Sequence, residues 1–136
     1  MAESFSTSIE RSVDALDRFR MEFMLRLETA GLDEEIIAQL ELCSYEVLIN
    51  IIEHTPEELT GPVHLHCIIH ADSVVLELRY QGDGFDPSSQ TLPDLASHFG
   101  SGRKRGLGIY IIHTLMDTLD YSEKQGLSLF RMTKKL

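Results

Sequence analysis

Residues 33–56 read DEEIIAQLELCSYEVLINIIEHTP, and the fold turns on how this stretch is read. Asp33 opens a helix, Ile36, Ile37, Leu40, Cys43, Val47, Leu48, Ile51 and Ile52 recur at helical spacing, and Pro56 stops it. A helix that is apolar on almost every side belongs inside a fold. Glu46 and Asn50 break that pattern four residues apart, with His54 a further four along, so the three share one helical face. An unpaired, unhydrated carboxylate is costly to bury, so this face is expected to open on a polar cavity or a metal. The plainer alternative has Asn50 bridging to backbone and Glu46 at the surface.

Outward from this helix the periodicity changes. Before it, Thr7-x-x-Glu10 can form a capping box, and Ile9, Val13, Leu16, Phe23 and Leu27 then predict an amphipathic helix running to Gly31. After it, Val63, Leu65, Cys67 and Ile69 alternate with His64, His66, Ile68 and His70. A turn at Ala71-Asp72-Ser73 leads into Val74–Arg79, which makes a β-hairpin. Residues 81–105 are rich in Gly, Ser, Asp and Pro, and a connection this long is expected to act as a lid over a ligand. A third helix is predicted from Leu107 to about Thr118, with Ile109, Ile112, Leu115 and Met116 inward. A second hairpin, Leu119–Ser122 and Leu127–Met132, turns at Lys124-Gln125-Gly126. Helices on one face of an antiparallel or mixed sheet make an α+β two-layer sandwich, expected as a single domain over residues 1–136.

Composition limits the functions open to such a chain. Of its 136 residues 43% are hydrophobic and 25% charged, as in a soluble globular protein, and no stretch reaches the ~20 apolar residues that span a bilayer. The opening MAESFSTS lacks the basic start and apolar run of an export signal, so a cytoplasmic location is expected. A net charge of −10 opposes attraction to nucleic acid and to anionic membranes. Against it stands Arg103-Lys104-Arg105, flanked by glycines: an anion site, or a solvated loop. Cys43 and Cys67 lie in apolar runs and read as small buried residues, a disulfide being neither required nor excluded. His64, His66 and His70 would suit a metal, although exposed strand histidines are commoner. Ser88 and Ser89 in the lid are open to modification, with nothing in the sequence to show it.

Two glycine loops follow the polar helix. Gly82-Asp83-Gly84-Phe85-Asp86-Pro87 leaves a strand end, and Gly100-Ser101-Gly102-Arg103-Lys104-Arg105-Gly106-Leu107-Gly108 runs into a helix. Glycine lets backbone approach a ligand closely, and a helix N-terminus offers free N–H groups to phosphate oxygens. With Glu46-x-x-x-Asn50-x-x-x-His54 as an N box, Gly82 to Pro87 as the first glycine box and Gly106-Leu107-Gly108 as the second, the chain resembles the GHKL (Bergerat-fold) ATPases. It closely resembles the stand-alone RsbW-like serine kinases that act as anti-sigma factors, and the resemblance covers roughly residues 5 to 135.

The resemblance implies a Bergerat sandwich with a mixed, mostly antiparallel sheet, a lid at approximately residues 88–105, and ATP with Mg²⁺ as cofactors. It implies that Asn50 coordinates the Mg²⁺ and that Glu46 is the general base toward a serine hydroxyl. Gly82 and Gly84 would then line the nucleotide, and Gly106, Leu107 and Gly108 would hold phosphate, with Arg105 and Arg103 neutralising charge. The implied partners are a STAS-type anti-sigma antagonist, a sigma factor, or both. A homodimer is implied too, which the apolar stripe of the first helix would serve unless that stripe packs on its own sheet. One position departs: where the family carries an adenine-binding Asp, this chain has Tyr80. Losing a charge-assisted hydrogen bond costs about 1.5–3 kcal/mol. Three functions follow in order: an active kinase; a binding module that has lost ATP and regulates by protein contact; and the detached catalytic domain of a histidine kinase.

Overall fold

In the computed structural model, which describes residues 3–89 and 107–136 apart from the side chain of Leu107, the chain opens on a strand where a helix was expected. Strand β1 (Glu3–Ile9) directs Phe5, Thr7 and Ile9 to the core side and leaves Ser4, Ser6 and Ser8 exposed. Its partner is β2 (Val63–Ile69), antiparallel from Glu3↔Ile69 to Ile9↔Val63. That pairing crosses more than fifty residues of sequence, so nothing local advertises it, and tertiary pairing overrides the Thr7 capping box. The cap is Ser12 instead: it is extended at φ −144°, and its Oγ accepts from the Ala15 N–H at 3.2 Å. Helix α1 (Val13–Thr29) thus starts later and rotates the expected stripe. Leu16, Phe19, Phe23 and Leu27 are buried, while Val13 is 65% exposed. The α1 stripe is therefore occupied by its own fold.

Helix α2 (Glu34–His54) runs as expected after Asp33, with Leu40, Cys43, Val47, Leu48 and Ile51 out of solvent. It is tied to α1 by a hydrogen-bonded ion pair of Arg20 Nε with Glu41 Oε1, the guanidinium lying 4.3 Å from the Tyr45 ring centre. Strand β3 (Ser73–Gln81) closes the first hairpin. Helix α3 (Leu107–Leu115) and strands β4 (Thr118–Lys124) and β5 (Leu127–Lys135) complete the described elements. Helix α3 stops short of Thr118 because two contacts claim its end. Lys134 Nζ donates to the Leu115 carbonyl at 2.8 Å, and the Asp117 N–H donates to the Thr133 carbonyl at 2.9 Å, drawing the chain into β4.

Among the described residues the sheet has five strands in the order β1-β2-β3-β5-β4, every pair antiparallel, so the parallel pair that a mixed sheet requires does not occur there. The core lies between one face and the helices: Leu65, Cys67, Leu76, Leu78, Phe130 and Met132 meet Phe23, Leu48, Ile51, Ile109 and Ile112. Cys43 and Cys67 are free thiols inside it, and burial pushes both up to about 12. The other face is polar. There Glu77 Oε2 accepts from Arg131 Nε and Nη2 at 3.0 and 2.6 Å, with His66 Nδ1 at 3.6 Å from Oε1. The bonded guanidinium holds the Glu77 carboxyl below its ordinary range against the opposing pull of burial.

Candidate nucleotide site

Three chain segments meet at the top of α2: its last turns, the loop that leaves β3, and the start of α3. The loop is shaped by its own acids. Asp86 Oδ1 accepts from the N–H and the hydroxyl of Ser88, both at 2.8 Å, and Asp83 Oδ1 accepts from the Phe85 N–H at 3.3 Å. Gly84 takes φ +91° between them. The loop is then fastened to both helices. Asn50 Nδ2 donates to the Pro87 carbonyl at 3.1 Å, the His54 and Phe85 rings stack at 4.5 Å, and His113 Nε2 lies 3.0 Å from the Ser88 carbonyl.

Of the two readings of the polar helix face, the plainer one holds at Asn50. Asn50, 6% exposed, does bridge to backbone, and that bridge brings the glycine loop onto α2. Glu46 is half-buried rather than at the surface, because Gly108 of α3 lies against it. A Cβ at Gly108 would fall 2.1 Å from Glu46 Oε2 and 2.9 Å from Cδ, so only glycine allows this approach. The carboxylate is thereby set beside the first turn of α3, whose leading N–H groups have no partner within the helix. Gly108 meets Glu46, Gly82 meets Ser128 and Tyr80 instead, Gly84 lies in the loop that Asn50 holds at Pro87, and Leu107 begins α3. Arg103, Arg105 and Gly106, with the lid from residue 90 onward, lie outside the described residues.

An aromatic ring is buried where β3 runs toward the glycine loop. Tyr80, 3% exposed, points inward near the end of β3, opposite Ser128 of β5. Gly82 makes room for both: a Cβ there would be 2.4 Å from Ser128 Oγ and 3.3 Å from Tyr80 Cε2. Tyr121 Oη pairs with Ser128 Oγ at 2.9 Å, whereas the buried Tyr80 hydroxyl has no well-formed hydrogen bond among the described residues. Burial pushes that phenol well above its ordinary range. Arg11 reaches over this end, its Nη2 donating to the Gln81 carbonyl at 2.7 Å and its Nε to the Gly61 carbonyl at 2.9 Å. Ser128, Arg11 and His113 escaped sequence reading, and Pro87 was read as part of the glycine box but not as the partner of Asn50, because each enters through strand register or a backbone carbonyl. Those signals are absent from residue type.

The strand histidines do not join the site. His64 Nδ1 is hydrogen-bonded to Ser8 Oγ at 2.8 Å on the outer sheet face, and among the described residues no three His, Cys, Asp or Glu side chains are grouped to hold a metal ion. None of the described helices is long and apolar enough to cross a membrane.

Residues 9–134 match the model of the histidine kinase-like ATPase domain. The chain is 26% identical over 101 residues to proteins named anti-sigma F factor from Thermoanaerobacter sp. (strain X514) and, equally, from Caldanaerobacter subterraneus subsp. tengcongensis; each alignment covers 74% of this chain and 71% of the relative. In fold it is similar to the crystal structure of the RsbU and RsbW domains of Rv1364c from Mycobacterium tuberculosis, at TM-score 0.70 and 13% identity. That likeness takes in 98% of this chain but only 32% of the larger one. It is similar also to the Acinetobacter baumannii histidine kinase AdeS, at TM-score 0.51 and 18% identity, covering 96% of this chain and 67% of that one. The chain belongs to the histidine kinase-like ATPase (GHKL) family.

Proposed function

We propose that this chain is a Mg-ATP-dependent protein-serine kinase of the anti-sigma type, acting in the cytoplasm as a homodimer that phosphorylates a STAS-type antagonist, sequesters a sigma factor, or both, without touching nucleic acid itself. The observation that carries this is the seating of Gly108 against Glu46, which sets a carboxylate at the mouth of a helix N-terminus. A scaffold has no need of that arrangement, whereas phosphoryl transfer needs a base beside a phosphate cradle. When bound, ATP would supply the transferable phosphoryl group, departing as ADP, and Mg²⁺ would neutralise its charge. Glu46 takes the proton from the incoming serine hydroxyl. The amide oxygen of Asn50 is a hard donor suited to Mg²⁺, its nitrogen being committed to Pro87. Leu107 and Gly108 in the first turn of α3 would receive the phosphates, together with Arg105 and Gly106, which precede them in the sequence.

A second reading is favoured at the base end. Tyr80 is buried, its hydroxyl without a well-formed hydrogen bond among the described residues, and it stands where the family has the carboxylate that accepts from adenine. The chain would then be a binding module that regulates by contact alone. Calorimetric titration with Mg-ATP, followed by transfer of labelled phosphate to a STAS-type protein, separates the two. The kinase reading expects saturable binding, and transfer that Glu46→Gln abolishes; heats of dilution alone at millimolar Mg-ATP would refute it in favour of the module.

A further inference from the structure

Among the described residues three buried side-chain atoms go without a well-formed hydrogen bond, and two of them, Arg11 Nη1 and Tyr80 Oη, lie at the end of β3. A buried polar atom without a partner is costly, so two at one place ask for a ligand that satisfies both. We infer that the base end of the nucleotide site is built for a 6-oxopurine, so that GTP binds in preference to ATP. The inference rests on the reading of this region as a nucleotide site and changes only the base it takes.

Arg11 Nη2 donates to the carbonyl of Gln81, the residue between Tyr80 and Gly82, and Nη1 sits on the same guanidinium carbon. The Arg11 side chain runs on the helical side of the sheet, since it shares the wall of a cavity of about 500 Å³ with Ile52 and Thr55 at the end of α2. Tyr80 points to that same side, into the core. Burial raises the Tyr80 phenol and the Arg11 guanidinium pulls it the other way, which puts the two groups within electrostatic reach of each other. Ser128 Oγ, the hydroxyl across from Tyr80, is engaged by Tyr121 Oη at 2.9 Å.

A base arriving here meets a guanidinium, which only donates, and a phenol, which can accept. The family's carboxylate is replaced by Tyr80, and Asp83 and Asp86 accept from donors of their own loop. Adenine would satisfy the phenol through N1 but turn its amino group toward Arg11, donor against donor. The same edge of guanine carries a carbonyl at C6 and a hydrogen on N1. Arg11 Nη1 can donate to that carbonyl, an acceptor that arginine favours in guanine, and Tyr80 Oη can accept from N1–H. One edge of one ring then satisfies both atoms. Such a site discriminates because the wrong base leaves its buried groups unpaired.

The test is calorimetric titration of the full chain with Mg-GTP, Mg-ITP and Mg-ATP. GTP is expected to bind about tenfold more tightly than ATP, or better, as one good base contact yields. ITP keeps the carbonyl and N1–H and lacks the 2-amino group, so it should follow GTP. Tyr80→Asp should reverse the order, and Tyr80→Phe, which removes the acceptor, should narrow the preference with an unchanged melt. Arg11→Lys keeps the charge and loses the fork, so it should weaken GTP and spare ATP. Saturable ATP binding as tight as that of GTP, or ITP that follows ATP, overturns the inference and leaves the kinase standing. So does a preference for GTP that survives in Tyr80→Asp. GTP binding beside mere heats of dilution for ATP supports the inference and refutes the ATP-dependent kinase. Heats of dilution alone with all three nucleotides overturn both.

Discussion

Gly108→Ala tests the reading of the site at its narrowest point. The added methyl would stand 2.1 Å from Glu46 Oε2, and ordinary contact begins near 3.4 Å, so the carboxylate must withdraw by about 1.3 Å. The obstructing atom is the far end of a flexible side chain, and the backbone need not move. Alanine also favours a helix over glycine by up to ~1 kcal/mol, less in a first turn, so the melting temperature should hold or rise slightly. Displacing a reacting group by about 1 Å costs roughly 100-fold in rate, or about 2.7 kcal/mol of barrier. The assay is single-turnover transfer of the labelled γ-phosphate to the serine of an antagonist protein, beside a thermal melt. Stability unchanged with transfer down about two decades is the expected pair of results. Because the effect passes through Glu46, Gly108→Ala should add nothing in a Glu46→Gln background. A variant that transfers at the wild-type rate, or one whose losses multiply with those of Glu46→Gln, would refute the assignment of Glu46 as the base.

Tyr80→Phe removes a buried hydroxyl without a good partner, so urea denaturation should show no loss of stability and up to ~1 kcal/mol of gain; a loss above that would reveal a bond the hydroxyl makes. Tyr80→Asp should tighten Mg-ATP binding by one to two decades in calorimetry if the base end limits affinity. Cys43 and Cys67, raised to about 12 by burial, should resist a thiol reagent at pH 8 in the native chain and both react once it is unfolded. Glu77 has a folded-state pKa below its unfolded value, so the stability it contributes is present above about pH 4.5 and is lost as pH falls through the folded value. Arg131→Met should erase that part of the acid transition. It should cost about 1 kcal/mol at pH 7, discounted because the guanidinium is 43% exposed, and equal acid profiles of wild type and variant would contradict the pairing.

Helix α2, the β2–β3 hairpin and the β4–β5 hairpin were legible because each is periodic and bounded by its own punctuation: Pro56, Ala71-Asp72-Ser73, Lys124-Gln125-Gly126. Strand β1 was not, because ESFSTSI has only three inward residues and its reason for being a strand is β2, more than fifty positions away. The polar pair Glu46 and Asn50 announced a site by their cost inside an apolar helix. What they touch could not be foreseen from residue type. The bond of Asn50 goes to a carbonyl, which every residue possesses, and the neighbour of Glu46 is a glycine, whose contribution is the side chain it lacks. Tyr80 was legible as a departure from pattern, while its burial against Ser128 required the β3–β5 register.

That register has an evolutionary consequence. Gln81 pairs with Leu127, so everything from residue 82 to residue 126, with the glycine loop, α3 and β4, is one excursion whose two ends are stapled side by side in the middle of the sheet. The entropy of closing such an excursion grows only as the logarithm of its length. Ten further residues would cost about 0.2 kcal/mol. Insertions and deletions between the glycine loop and α3 therefore cost the fold little in closure entropy, and descendants of this chain can rewrite that stretch of sequence while the scaffold stays intact.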